Sequence, residues 1–134
     1  MLTFITSLWY LCGAACALYV IFCIICILRL ERKACKCQKA LFIAYRELDV
    51  LFEGGERSEV RDVYGLSCAF TSVLELKQDP GQTFEFYRQK EHFRELAGEY
   101  NAAVQQYNQL IMNYPSCVLA RVMGKEPVER FTCE

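Results

Sequence analysis

The chain has 134 residues, of which fifteen are basic and sixteen acidic, giving a formal net charge of −1 at pH 7. This balance sets up no strong field of either sign, and no basic face extends along the chain, so no nucleic-acid partner is expected. The length suits one modest folded domain. All of the charge lies beyond residue 28, because Met1 to Leu28 contains no Asp, Glu, Lys, Arg or His.

The opening segment reads as a transmembrane anchor over residues 1–28. From Leu8 to Leu28 it is almost wholly apolar. A helix of that length rises about 31 Å, against a hydrocarbon core of about 30 Å. Thr6, Trp9 and Tyr10 fall near the outer end, where aromatic rings favour the headgroup level. A cleaved signal peptide would need a basic start, a shorter apolar stretch and a small-residue cleavage site, and none is present. Gly13-Ala14-Ala15-Cys16 faintly resembles the approach to an acylated cysteine, but the apolar run continues well beyond Cys16. Between Arg29 and Arg46 the basic residues Arg29, Arg32, Lys33, Lys36, Lys39 and Arg46 face one acid, Glu31. The positive-inside rule then puts residues 29–134 in the cytoplasm and the amino terminus outside, in the cell membrane. Within the anchor, Cys12, Cys16, Tyr19, Cys23 and Cys26 share a stripe on which Gly13 and Ala17 form a small-x-x-x-small pair, a possible homo-oligomer contact in lipid. Four of the nine cysteines lie in this segment, and a cytoplasmic domain keeps the rest reduced.

Past the anchor, apolar positions at Leu30, Ala34, Cys37, Leu41, Tyr45, Leu48 and Phe52 keep the three-and-four spacing of a helix. One helix is therefore predicted to run through the bilayer and into the cytoplasm, ending at Gly54-Gly55. A second helix is predicted with Val60, Tyr64, Ser67, Phe70, Leu74 and Lys77 along its inner edge and Glu56 and Glu59 in its first turn. Gln78-Asp79-Pro80-Gly81-Gln82 is a turn by composition. A third helix, from about Thr83, is the best defined: Phe86, Phe93, Ala97, Tyr100, Val104, Tyr107, Ile111 and Tyr114 recur along one face, and Pro115 stops it. The tail from Ser116 keeps enough apolar residues for a short helix and a final aromatic, Phe131, folding back. The fold expected is all-α, an amino-terminal transmembrane helix continuing into an antiparallel three-helix cytoplasmic bundle.

Groups that could carry chemistry are few. His92 is the one histidine; Glu91 and Glu95 bracket it, but the Glu-x-x-His pairs of carboxylate-bridged metal bundles are absent. Cys35 and Cys37 flank a single residue with no partner pair, short of a zinc pattern. There is no phosphate-binding glycine loop and no nucleophile elbow. No cofactor, metal or catalytic residue is assigned, and the alternative to a binding protein is a metal-binding or enzymatic one using His92, Cys35 and Cys37. The feature that departs from a plain helix is the repeat Tyr100-Asn101 and Tyr107-Asn108, continued by Tyr114. Residues seven apart share a face, so the tyrosines form a ladder with the asparagines in a row beside it. That row is either a polar track for a partner helix, as an asparagine fixes register in a coiled coil, or a set of amides bonded within the monomer.

These residues resemble the bacterial LemA family. Ala44-Tyr45-Arg46-Glu47-Leu48-Asp49-Val50 is similar to the family's Ala-Trp-x-x-Ile-Asp-Val. Tyr100-Asn101-x-x-Val104-x-x-Tyr107-Asn108, then Tyr114-Pro115-Ser116, then Gly124-x-x-Pro127 and Phe131, look like its closing pattern in order and spacing. Where the family continues with Lys-Arg-Arg and Ile-Pro-Asn-Leu-Val, this chain has Leu51-Phe52-Glu53-Gly54-Gly55, and its middle is shorter, as in a divergent or trimmed member. The resemblance implies an amino-terminal membrane anchor and an elongated cytoplasmic helical domain, a non-catalytic scaffold or adaptor that binds another protein.

Overall fold

The structure, a computed structural model, describes residues 2–50, 62–76 and 84–132. Every regular element among them is helical: α1 (Leu2–Val50), α2 (Val63–Leu76), α3 (Phe84–Met112) and α4 (Ser116–Val122).

Helix α1 is a single run of 49 residues, which agrees with the uninterrupted helical spacing and the lack of glycine and proline after Gly13. It is long and apolar enough to cross a membrane. Residues Thr3 to Phe22 are exposed on every side. In this stretch the hydroxyls of Thr6 and Ser7 donate back to the carbonyls of Thr3 and Phe4, both at 2.9 Å, so neither needs water. From Cys23 onward one stripe of the same helix is covered: Cys23, Ile27, Ala34, Leu41, Ala44 and Leu48 are buried, at helical spacing. The apolar run expected to face lipid as far as Leu28 therefore meets protein in its last turns.

The covering element is chiefly α3. Ile27 clusters with Tyr107 and Ile111, and Tyr45 meets Phe93 at 6.4 Å between ring centroids, so the two helices run in opposite directions along each other. Phe86, Phe93, Ala97, Tyr100, Val104, Tyr107 and Ile111 are buried as the spacing predicts. Tyr114 is not: it is 83% exposed, because α3 ends at Met112 and the residue before a proline is pushed out of helical geometry.

Helix α2 begins at Val63, where the Asp62 carboxylate accepts the Gly65 N–H at 2.7 Å, an N-cap. Val63, Leu66, Ser67 and Phe70 are buried, and the Ser67 hydroxyl donates to the Val63 carbonyl at 3.1 Å. Tyr64, expected on the inner edge, is 67% exposed, since the buried face passes through Val63, Leu66, Ser67 and Phe70 instead. The sequence expectations at Phe52, Gly54-Gly55, Glu56, Glu59, Val60, Lys77, the Gln78–Gln82 turn and Thr83 lie outside the described residues, as does the side chain of Leu74.

Three segments converge on Phe93 of α3. Its ring stacks on Phe70 of α2 at 4.2 Å, meets Phe131 of the tail edge-on at 5.5 Å, and faces Tyr45 of α1. Phe70 and Phe131 close the triangle at 6.2 Å. Truncating Phe93, fully buried here, is expected to cost about 3 to 5 kcal/mol, as for other buried aromatics. His92→Ala, next door and exposed, should change stability by less than about 0.5 kcal/mol. Denaturant unfolding of the full chain in detergent measures both; equal effects would contradict the packing described.

Candidate functional site

The most specific polar arrangement joins α3 to the tail. Helix α4 closes with a Schellman motif: the Gly124 N–H donates to the Arg121 carbonyl at 3.1 Å and the Lys125 N–H to the Ala120 carbonyl at 2.9 Å. Gly124 sits at φ 64°, where a side chain would be strained, which accounts for a glycine at this position. The chain then leaves the helix and runs extended, back along α3. Lys125 ion-pairs with Glu31 of α1, its Nζ lying 2.7 and 2.8 Å from the two carboxylate oxygens. This hydrogen bond holds the Lys125 ammonium above its usual range. The pair is partly exposed, so it fixes position more than it stabilises.

Each asparagine of the repeat then grips one tail residue by its backbone. Asn108 Nδ2 donates to the Val128 carbonyl at 2.8 Å, and its Oδ1 accepts the Val128 N–H at 2.9 Å. Asn101 does the same with Phe131, both bonds at 2.7 Å. Between them the Tyr100 hydroxyl donates to the Glu129 carbonyl at 2.9 Å. Seven helical residues rise about 10.5 Å, and three extended residues span about 10 Å. The heptad spacing of the asparagines therefore matches a three-residue step in the tail. An amide presents one donor and one acceptor side by side, as a neighbouring strand would, and here it substitutes for one. The asparagine row thus holds an extended segment of its own chain, and no partner helix is needed to satisfy it. Tyr100 and Tyr107 are buried beneath this latch, whereas Tyr114 lies beyond it and takes no part.

Burial pushes the phenols of Tyr45, Tyr100 and Tyr107 up, with further contributions from the negative charges of Asp49, Glu129 and Glu31 respectively. Val128, held by the Asn108 amide, packs against both core clusters, the larger one around Phe93 and the smaller one around Ile27. An open groove of about 540 Å³ continues past Phe131 between Phe93, Ala97 and Asn101. Its lining holds one ionisable side chain, Arg94, and no acid–base pair.

The residues of the metal or enzymatic alternative are not brought together. His92 is exposed beside Phe93, which packs at Tyr45; Cys35 and Cys37 lie eight or more residues back along α1, about 12 Å or more by helical rise. No group of three His, Cys, Asp or Glu side chains able to hold a metal occurs among the described residues, and the described cysteines are all free. No protein-family model, curated protein or solved structure matches the chain.

Asn108→Ala and Asn101→Ala each remove two hydrogen bonds and should destabilise the chain by about 1 to 3 kcal/mol, with faster proteolysis between Lys125 and Phe131. Asn108→Asp separates donor from acceptor: at pH 7 its carboxylate faces the Val128 carbonyl with nothing to donate. Part of the lost stability should return below about pH 4, where the acid is protonated. A deficit independent of pH would contradict the pairing.

Alkaline stability follows from the raised tyrosines. Unfolded phenols ionise near pH 10, while the folded chain keeps its protons longer, so it binds more protons than the unfolded chain above that pH. Their contribution is full below about pH 10 and is lost as pH rises further. Tyr100→Phe should make the fall between about pH 10 and 12 shallower in a pH series of thermal melts, while lowering stability at pH 7 by about 1 kcal/mol for the lost hydrogen bond.

Proposed function

We propose that the chain is a membrane-anchored adaptor of the LemA type, non-catalytic, which presents a cytoplasmic helical domain to another protein. The observation that carries this reading is the division of α1. Its first part, Thr3 to Phe22, is uncharged and bare on all sides, and its second part is a wall of the folded domain. No flexible linker separates the two. In this reading α1 crosses the cell membrane once, amino terminus outside, and its inner half joins α2 and α3 as an antiparallel three-helix bundle. The cluster from Arg29 to Lys39 supports that orientation. Asn101, Asn108, Gly124 and Phe131, which carry the LemA-like closing pattern, are also the residues that tie tail to helix.

With the asparagine row occupied by the tail, the partner surface we favour is the start of α3, where Phe84 and Tyr87 are 84% and 56% exposed on one face. Exposed aromatics are over-represented where proteins bind each other. In the span, Cys12, Gly13, Cys16 and Ala17 are free for self-association, whereas Cys23, assigned to the same stripe, is buried within the monomer.

A reporter active in the cytoplasm should work after Glu134, and one active outside should work before Met1; the reverse pattern would overturn the topology. Neutralising Arg29, Arg32, Lys33, Lys36 and Lys39 should produce mixed orientations. Joint replacement of Phe84 and Tyr87 by Ala should abolish in-cell crosslinking to the partner while leaving stability within about 0.5 kcal/mol. Unchanged crosslinking would move the interface elsewhere.

A further inference from the structure

We infer that the corner where α3 turns into α4 lies in the headgroup layer of the bilayer that α1 crosses, with Met112, Tyr114, Val118 and Val122 against lipid. This rests on the membrane reading above and adds a second, peripheral contact to it. The argument begins with depth. Ile27 packs against Tyr107 and Ile111 near the end of α3 and against Ala120 of α4, and Cys23, one turn earlier, is buried as well. The first charge of the chain is Arg29. Cys23 and Ile27 therefore lie about 3 to 9 Å on the membrane side of it along the helix axis. The corner that covers Ile27 is carried to the same depth.

Thr3 to Phe22, the stretch left bare, spans about 30 Å, enough for the hydrocarbon core without the residues that the corner covers. The corner then falls at the boundary between acyl chains and headgroups. Its surface matches that place. Met112, Tyr114, Val118 and Val122 are 62%, 83%, 53% and 81% exposed, and Ile25 of α1 at the same level is 55% exposed. A single exposed apolar side chain is ordinary on a soluble protein. Here they gather at one end of the domain, continuous with the lipid-facing surface of α1. A tyrosine, with an apolar ring and a polar tip, suits this layer.

The charges nearby are complementary. Arg121 is exposed on α4, able to extend its head toward phosphate while its stem stays apolar. One face of α1 carries Ile25 and Leu28 and, beyond them, Arg29, Arg32, Lys33 and Lys36, apolar below and cationic above, a fit to anionic lipid. A second copy of the chain or another protein could cover the same residues. The bilayer is the occupant favoured by the position of the corner, because α1 fixes it at that depth.

The test uses the full chain with Trp9→Phe, which removes its one tryptophan, and Val122→Trp, placed in vesicles of phosphatidylcholine and phosphatidylglycerol. Flotation reads the anchor, and quenching reads the corner. Lipids brominated on the upper acyl carbons should quench the new indole by about half, as for a group roughly 5 to 10 Å into the boundary, with little quenching by aqueous iodide. His92→Trp in the same background, at the exposed far end of α3, should show the opposite pattern. A floating chain whose indole at position 122 is quenched by iodide alone overturns the inference and leaves the anchor intact. Shielding from both quenchers means that protein covers the corner, and also overturns it. A chain that does not float overturns the anchor and the inference together.

Discussion

One unbroken helix carries two unlike surfaces, a bare uncharged one and a packed one. Helix α1 carries no charge as far as Leu28 and then turns amphipathic without changing direction, so whatever fixes its first half fixes the whole domain. The stripe that begins at Cys23 and Ile27 and continues through Ala34, Leu41 and Leu48 is the wall on which α3 packs. Everything else is attached to that pair: α2 through Phe70, α4 through Ala120, and the tail through the two asparagines.

The tail is held in a way that ordinary side-chain packing does not achieve. Val128 and Phe131 each place a side chain in a core cluster while an asparagine takes both of their backbone groups. An extended segment without a neighbouring strand would otherwise leave those groups to water. Because the two grips are a heptad apart on the helix and three residues apart on the tail, they reinforce one register. A slip of one tail residue would break both, and would move Phe131 away from Phe70 and Phe93.

Much of this was legible from side-chain periodicity, and the remainder was hidden for identifiable reasons. The inner face of α3 could be read because a helix repeats its buried positions every three or four residues, and seven of the eight predicted residues are buried. Tyr114 failed because the proline effect reaches back beyond the residue it follows. The asparagine row stood out as an anomaly, but its partner did not, since Val128 and Phe131 contribute backbone atoms that no residue type announces, across 20 and 30 positions of sequence. The covered end of the apolar run was equally hidden. Cysteine and isoleucine suit lipid and a protein interior alike, so composition alone could not show that Cys23 is buried and that Ile27 meets α3 and α4. The start of α2 carries its own signal, Asp62 three residues before Gly65, nearer the helix than the acids Glu56 and Glu59.

Hydrogen exchange of the full chain in lipid vesicles, resolved by residue across α1, tests the central claim most directly. If α1 is both span and wall, as proposed, it should protect its amides without a gap from Leu8 through Leu48, including Arg29 to Cys37, where the charged stretch begins. Rapid exchange confined to Arg29 to Cys37, between two protected stretches, would mean a hinge between anchor and domain and would contradict the account.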